Sequence, residues 1–582
     1  MVTPAFNFNV GVLGHIDSGK TSLARALSTV ASTASFDKNP QSRERGITLD
    51  LGFSCFSVPL PEHLRTTTEE AEEEEEGMMQ VTLVDCPGHA SLIRTIIGGA
   101  QIIDLMLLVV DVTKGVQTQT AECLVLGRVV CRRMLVALNK VDLLPTETRE
   151  RTVERARRKL RATLRAMGYD DDTAMVAVSA RPGGPDAATP AEGVDELVAL
   201  LRRSAHRPAR ASTAAAGPFV FAVDHCFAMR GQGTVMTGTV LRGAVATNDV
   251  VEIPALGGAT RRVKSMQMFR RPVDRAAQGD RVGVCVTQFD PRLLERGLAA
   301  TPGSLPTLSA AVAFVARIPY YKGRCGTRAK MHVSLGHATV MARVSYFARA
   351  DAPPDDADPD AFDFSADYLY QDELPDAKSD ENGGGGGGES EASVVAAATG
   401  RQFALLEFEH PVTCVRDSIV IGSRLDADAH ANACRLAFHG RVVAAATDAG
   451  YAATLLPRLR VYKEKAREGI AERVADAYTV VGRALFKRES NVNRFVGLKV
   501  ALSTGEDGVI EGGFGQSGKF KVRIPAGVKP ETAALLEGKK KGKGKGKSEV
   551  ESAAGEKREE VKIVLAFRRY VYDAEKKMVQ PK

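Results

Sequence analysis

From residue 6 to about residue 204, short runs of Val, Leu and Ile alternate with segments of helical periodicity, the pattern that a parallel sheet covered by helices imposes on its chain. The runs fall at residues 8–13, 81–85, 105–110, 134–138 and 175–178, and helical periodicity marks 147–167 and 194–203. The first helical stretch is crowded with arginine and reads as an outer helix with a solvated face. A strand-like segment at 49–58 precedes the run at 81–85, and the glutamate run at 69–76 between them reads as an enlarged, disordered hairpin connection with no chemical role.

Past a linker at 206–217, rich in Ala, Arg and Pro, the apolar period shortens to two. Glycine-punctuated strands such as Phe219-Val-Phe-Ala-Val and Gly233-Thr-Val-Met-Thr-Gly-Thr-Val predict a small β-barrel. The pattern divides the chain into units at 1–205, 217–305, 308–477 and 478–582. Segment 351–399 is loaded with Asp, Pro, Ala and Gly, and reads as a disordered insertion that cannot bury enough apolar surface to offset its ordering entropy. A second such insertion is expected at 530–560. Within it, the lysines and glycines of 539–547 suit RNA phosphates or a nuclear address as well as they suit a solvated loop, and the residues alone do not separate these.

Composition changes this picture little. A chain of 582 residues exceeds one hydrophobic core, and its 44% hydrophobic and 26% charged residues are those of a folded multidomain protein. The net charge of +7 mildly favours a phosphate-rich partner without demonstrating one. Nine cysteines occur with no CxxC pair and no zinc spacing, which fits reduced thiols in a cytoplasmic protein. Residues 1–10 read as a first strand rather than a secretory signal, and the most apolar stretch, 102–112, is too short for a bilayer span, so no membrane partner is expected.

The chemistry concentrates in the first unit. Gly14-His-Ile-Asp17-Ser18-Gly19-Lys20-Thr21 follows a strand and opens a helix, the context of a phosphate-binding loop. Its glycines let backbone N–H groups curl around a β-phosphate, Lys20 sets a cation against the β and γ oxygens, and the Thr21 hydroxyl suits Mg²⁺. Asp85-Cys-Pro-Gly88-His89 ends a buried strand, where Asp85 can hold the Mg²⁺ shell and the Gly88 amide can sense a γ-phosphate. Arg43-Glu-Arg-Gly-Ile-Thr48 supplies a threonine that closes on Mg²⁺ only when the third phosphate is present.

Asn139-Lys140-Val-Asp142 suits guanine, because a carboxylate accepts from N1–H and the 2-amino group while adenine offers no such pair. Ser179-Ala180, at the end of a strand, completes the base pocket through its backbone. Together these predict a P-loop GTPase domain that uses GTP, GDP and Mg²⁺, followed by two β-barrel domains and a small C-terminal β-barrel-like domain: a multidomain α/β plus β fold.

The set GHIDSGKT, RERGITLD, DCPGH and NKVD resembles the translational GTPases that carry aminoacyl-tRNA, and Gly231-Gln-Gly-Thr-Val-Met-Thr-Gly-Thr resembles their barrel domain. The run from Asp37 through Phe53, Val223-Asp-His-Cys-Phe, Ile421-Gly-Ser-Arg-Leu-Asp-Ala-Asp, Phe514-Gly-Gln-Ser-Gly-Lys-Phe and Arg569-Tyr-Val-Tyr resemble the eukaryotic selenocysteine-specific elongation factors. The resemblance spans nearly the whole chain except the low-complexity insertions and the glutamate run.

It implies ribosome-stimulated GTP hydrolysis with His89 ordering the attacking water, and selenocysteyl-tRNA and the ribosome as partners. It also implies a selenoprotein-mRNA element reached through an RNA-binding adaptor, and an aminoacyl pocket at Asp224, His225 and Arg281. The rival reading of those two residues is an ion pair that merely locks the barrel. An initiation-factor γ subunit and a non-hydrolysing, GTP-bound RNA scaffold are the rival functions.

Overall fold

The computed structural model describes residues 4–31, 52–65, 77–86, 102–131, 133–184, 189–207, 217–294, 296–336, 338–350, 362–376, 401–415, 418–426, 434–487, 490–515, 518–537, 560–573, 575 and 577–580. The first unit is built from β1 (Pro4–Leu13), β2 (Val30–Ala31), β3 (Gly52–Pro59), β4 (Met78–Asp85), β5 (Leu105–Asp111), β6 (Met134–Asn139) and β7 (Met175–Ala177). They form one sheet in the order β2-β3-β4-β1-β5-β6-β7, parallel except at β2–β3 and β3–β4. Strand β5, Leu-Met-Leu-Leu-Val-Val-Asp, is buried at every position because helices cover both faces, so its sequence runs apolar instead of alternating.

The covering helices are α1 (Lys20–Leu27), α2 (Thr118–Val130), α3 (Arg149–Ala166) and α4 (Val194–Ser204). In α4 the buried stripe is Leu197, Leu200 and Leu201, and in α3 it is Val153, Leu160 and Leu164, which turns most of the α3 arginines outward as the arginine pattern predicts.

The second unit comprises β8 (Val220–Met229), β9 (Gly233–Arg242), β10 (Ala244–Ala246), β11 (Val250–Ile253), β12 (Ala259–Met268), β13 (Arg271–Val273), β14 (Arg275–Ala277), β15 (Arg281–Val286) and β16 (Gly297–Ala300). The order β11-β16-β8-β9-β15-β12, with β11 pairing back to β12, closes a barrel and leaves no free edge among those strands. The third unit closes in the same way through pairing of Ala329–Leu335 with Ala338–Arg349, and the fourth through pairing of Val461–Asp476 with Lys562–Tyr570.

Three expectations need correction. Within 351–399, residues 362–376 are folded: Phe362 and Tyr368 are buried, and Tyr368–Gln371 is a strand. The average composition of the segment conceals the local cluster Phe362, Phe364, Tyr368 and Tyr370, whose rings supply the burial that the flanking residues lack. Within 530–560, Pro530–Glu537 is a helix with Leu536 buried and the Thr532 hydroxyl donating to Glu506 Oε2 at 2.9 Å.

The last boundary also moves. Strand Val461–Asp476 pairs along Tyr462 to Ile470 with Lys562–Tyr570, so it belongs to the fourth barrel, and that unit begins before residue 478. The same strand runs parallel to Tyr368–Gln371 through the pairs Tyr368↔Val461 and Leu369↔Tyr462, which joins the third and fourth barrels into one continuous sheet. All nine cysteines are free. Among the described residues no helix is long and apolar enough to cross a membrane.

Candidate functional site

The loop after β1 carries the strain that a phosphate cradle requires. Gly14 has φ 149°, Asp17 59° and Gly19 90°, and α1 starts at Lys20. A Cβ on Gly14 would stand 2.3 Å from the Val109 carbonyl oxygen, and one on Gly19 would stand 2.1 Å from Asn139 Nδ2, so side chains are excluded at both positions. Ser18 is buried, and its hydroxyl has no hydrogen-bond partner among the described residues, an orphan that a phosphate oxygen would satisfy.

Lys20 is also buried, and Nζ donates to the His15 carbonyl at 2.7 Å. Burial pushes its ammonium pKa below the usual lysine value more strongly than the neighbouring Asp85 raises it. A bound polyphosphate would reverse that imbalance. Thr21 Oγ1 donates to Asp85 Oδ2 at 2.6 Å, which brings together the hydroxyl and carboxylate that suit a Mg²⁺ shell. The donor set and the cradle therefore fit a magnesium nucleotide. Thr48, Gly88 and His89 lie outside the described residues.

The base-recognition residues form a second, connected cluster at the ends of β6 and β7. Asn139 Nδ2 donates to the Ser18 carbonyl at 2.9 Å, and Asn139 Oδ1 accepts from the Ala180 amide at 3.1 Å, so one side chain ties the phosphate loop to the base pocket. Lys140, at φ 66°, pairs with Asp111 Oδ2 at 2.9 Å. Burial acts to raise the Asp111 carboxyl, but hydrogen bonds from Thr113 and Lys140 outweigh it and hold the group below the usual carboxylate range. The Ser179 hydroxyl donates to Asp142 Oδ1 and holds the carboxylate in place, so Ser179 acts through its side chain as well as its backbone.

In the second barrel, Asp224 and Arg281 come together as an ion pair between β8 and β15. Asp224 is the extra residue of a β-bulge between Val223↔Gly238 and His225↔Thr237, a device that re-aims a side chain out of the regular alternation. Arg281 is 4% exposed; Nη1 also lies 3.4 Å from Thr239 Oγ1, while Nη2 has no hydrogen-bond partner among the described residues. Arg281 lines a cavity of about 110 Å³ together with Phe227, Thr237, Gln267 and Cys285, whereas Asp224 and His225 do not line it.

Residues that the sequence reading passed over fix this barrel against the first unit. The Arg281 guanidinium stacks on the Phe53 ring of β3, with Cζ 3.3 Å from the centroid. Asn7 and Asn9 of β1 donate to the Gly279 carbonyl at 2.8 and 3.1 Å. Their signal in the sequence is the Phe-Asn-Phe-Asn-Val alternation, which places amides in an otherwise apolar central strand. Arg435 of the third barrel makes a two-pronged, buried ion pair with Glu122 of α2, at 3.0 and 2.9 Å. The Gln119 side chain, on the same helix, accepts from the Ile16 amide of the phosphate loop at 3.2 Å.

Comparisons with known proteins agree with this arrangement. Three family models match: the elongation factor Tu GTP-binding domain over residues 7–206, the third domain of eukaryotic selenocysteine-specific elongation factors over 312–440, and the eEFSec C-terminal RIFT domain over 457–576. The selenocysteine-specific elongation factor of Mus musculus is 52% identical over 590 aligned residues, covering 99% of each chain. That of Methanocaldococcus jannaschii is 34% identical, covering 58% of this chain and 66% of its own. Translation elongation factor SelB of Methanococcus maripaludis, solved with the GTP analogue GppNHp, shares the fold with a TM-score of 0.63 at 23% identity, covering 98% of this chain and 100% of its own.

Proposed function

The chain belongs to the selenocysteine-specific elongation factors, and from that premise we propose that it carries selenocysteyl-tRNA to the ribosome in a GTP- and Mg²⁺-bound state and hydrolyses GTP there. The observation that carries this reading is the convergence of Lys20, Thr21, Asp85, Asn139, Asp142 and Ser179 at the ends of the first sheet's strands, beside a barrel whose Arg281 stacks on β3. On binding, Lys20 exchanges the His15 carbonyl for β and γ oxygens, and backbone amides of the loop receive the β-phosphate. Thr21 and Asp85 would hold Mg²⁺, joined by Thr48 in the GTP state, and the ion neutralises charge that develops on the phosphates. Asp142, held by Ser179, accepts from guanine N1–H and the 2-amino group.

His89 orients the attacking water once the ribosome positions its ring. Loss of the γ-phosphate then releases Thr48 and Gly88 and lowers the affinity for tRNA. In the barrel, Asp224 fixes one side of the Arg281 guanidinium, and the Nη2 group without a partner faces the amino acid. A selenol ionises below neutral pH, whereas a thiol has a pKa of about 8.5, so selenocysteine alone presents a full negative charge to that cation at pH 7. The fourth barrel reads the ribosome or the selenoprotein-mRNA machinery, the latter reached through an RNA-binding adaptor, in the cytoplasm, with a nuclear pool if 539–547 serves as an address.

Filter binding of selenocysteyl-, seryl- and methionyl-tRNA to the GTP-loaded protein tests the reading. Selenocysteyl-tRNA is expected to bind most tightly, and a preference for methionyl-tRNA would point to the initiation-factor alternative. Arg281→Lys keeps the charge but loses the planar fork, and should weaken selenocysteyl-tRNA more than seryl-tRNA. Equal losses would remove Arg281 from recognition. Single-turnover GTPase measurements with programmed ribosomes check hydrolysis, and absence of stimulated phosphate release would favour a scaffold.

A further inference from the structure

On the first unit, the segment after β5 and helix α3 line a pocket of about 400 Å³. Its floor is apolar, with Val112, Leu138, Ala156 and Leu160, and its rim is cationic, with Lys114, Arg155 and Lys159. On α3 the pocket residues fall at 152, 155, 156, 159, 160 and 163, which is one helical stripe. Among the described residues no carboxylate and no aromatic ring lines the pocket.

Charge pairing along α3 is partial. Arg149, Arg157 and Arg165 have carboxylate partners in Glu192, Glu154 and Asp171. Lys114, Arg155 and Lys159 are exposed and form no ion pair among the described residues, and the exposed Arg158 and Arg161 extend the same positive field. A solvated outer helix accounts for cations scattered around its circumference; it does not account for an apolar hollow ringed by three cations without partners.

We propose that this pocket docks an acidic peptide segment of a partner protein, with an apolar side chain of the segment seated between α3 and the segment after β5 and its carboxylates on Lys114, Arg155 and Lys159. A volume of about 400 Å³ accommodates a leucine or phenylalanine side chain. Charge complementarity selects an anionic occupant, and the floor selects a peptide over RNA, because unpaired bases are held by stacking on aromatic rings and none is present here. None of its lining residues is among those assigned to guanine or to the aminoacyl cavity, although Thr113 donates to Asp111, the partner of Lys140.

The test is fluorescence anisotropy on the full-length, GDP-loaded protein with a labelled synthetic peptide of glutamates and aspartates carrying two leucines. A twin with serines in place of the leucines and a single-stranded RNA oligonucleotide of equal charge are the competitors. The leucine peptide is expected to bind, the serine twin to bind about tenfold more weakly, and Arg155→Glu combined with Lys159→Glu to weaken the leucine peptide about tenfold or more.

Ala156→Trp, which fills the hollow, should bring the leucine peptide down to the level of the serine twin. If that variant fails to retain GDP, the charge-reversed pair, which lies on the exposed helix surface, still decides the matter. Absence of peptide binding, equal binding of the two peptides, unchanged binding by the charge-reversed protein, or stronger binding of the RNA would each overturn the proposal.

Discussion

The nucleotide cradle and the barrel pocket solve the same problem, holding a buried cation ready for an anion, by different means. Lys20 waits on a main-chain carbonyl five residues away, within a loop whose glycines fix its path, so the cradle is complete inside one unit. Arg281 waits on an aspartate placed by a bulge 57 residues earlier and on a phenylalanine of a different unit. The first arrangement draws no side chain from the barrels. The second exists only while β3 and the barrel are packed together, and Gly52, next to Phe53, pairs with Asp85, the proposed magnesium ligand. A short chain of contacts therefore joins the proposed nucleotide site to the proposed aminoacyl pocket, and coupling along it is reciprocal.

The sharpest way to break this contrast is Arg281→Ala. It leaves the Asp224 carboxylate buried without its partner and should cost about 3–5 kcal/mol of stability in urea unfolding. The paired replacement Asp224→Leu with Arg281→Leu should recover most of that loss while abolishing discrimination between selenocysteyl- and seryl-tRNA. If the single and double variants were equally unstable, the ion pair would not be what Arg281 contributes.

Lys20→Ala, by contrast, should leave unfolding almost unchanged and weaken GTP by about 2–4 kcal/mol in calorimetry, because the lost contact is to ligand and not to fold. Asp142→Asn should reduce GTP affinity by about 1.5–3 kcal/mol and shift preference toward xanthosine triphosphate, and retained GTP preference would reject its assigned role. The smallest effect is expected from Phe53→Leu, about 1 kcal/mol from the lost cation–π contact. It should appear in selenocysteyl-tRNA binding and not in GTP binding, and the opposite distribution would dismiss the coupling between the two sites.

The cradle was legible in the sequence because its parts are short contiguous motifs whose residues act within a few positions of one another. The glycines at 14 and 19 and the Asn139-Lys140-Val-Asp142 run carry their geometry with them. Asp224 and Arg281 could be named only through resemblance, and neither their pairing nor the Phe53 stack could be read from spacing. The seam partners were invisible for the same reason: the alternation around Asn7 marks it as unusual but does not name a partner 272 residues away, and nothing local marks Glu122, whose partner lies 313 residues away. Composition misjudged residues 362–376 and 530–537 because an average over a long polar segment hides a few well-placed apolar side chains.

The parallel seam between Tyr368–Leu369 and Val461–Tyr462 has a mechanical meaning. A chain that merely passed from the third barrel to the fourth through a tether would let the last barrel swing freely. Here the strand that enters the last barrel is stitched to its predecessor before it arrives, so torque applied at the far end is carried by main-chain hydrogen bonds into the third barrel. From there the Arg435 clamp on Glu122 passes it to the helix that touches the phosphate loop. Strand pairing, one ion pair and one hydrogen bond thus form an unbroken path from the C-terminal barrel to the loop after β1.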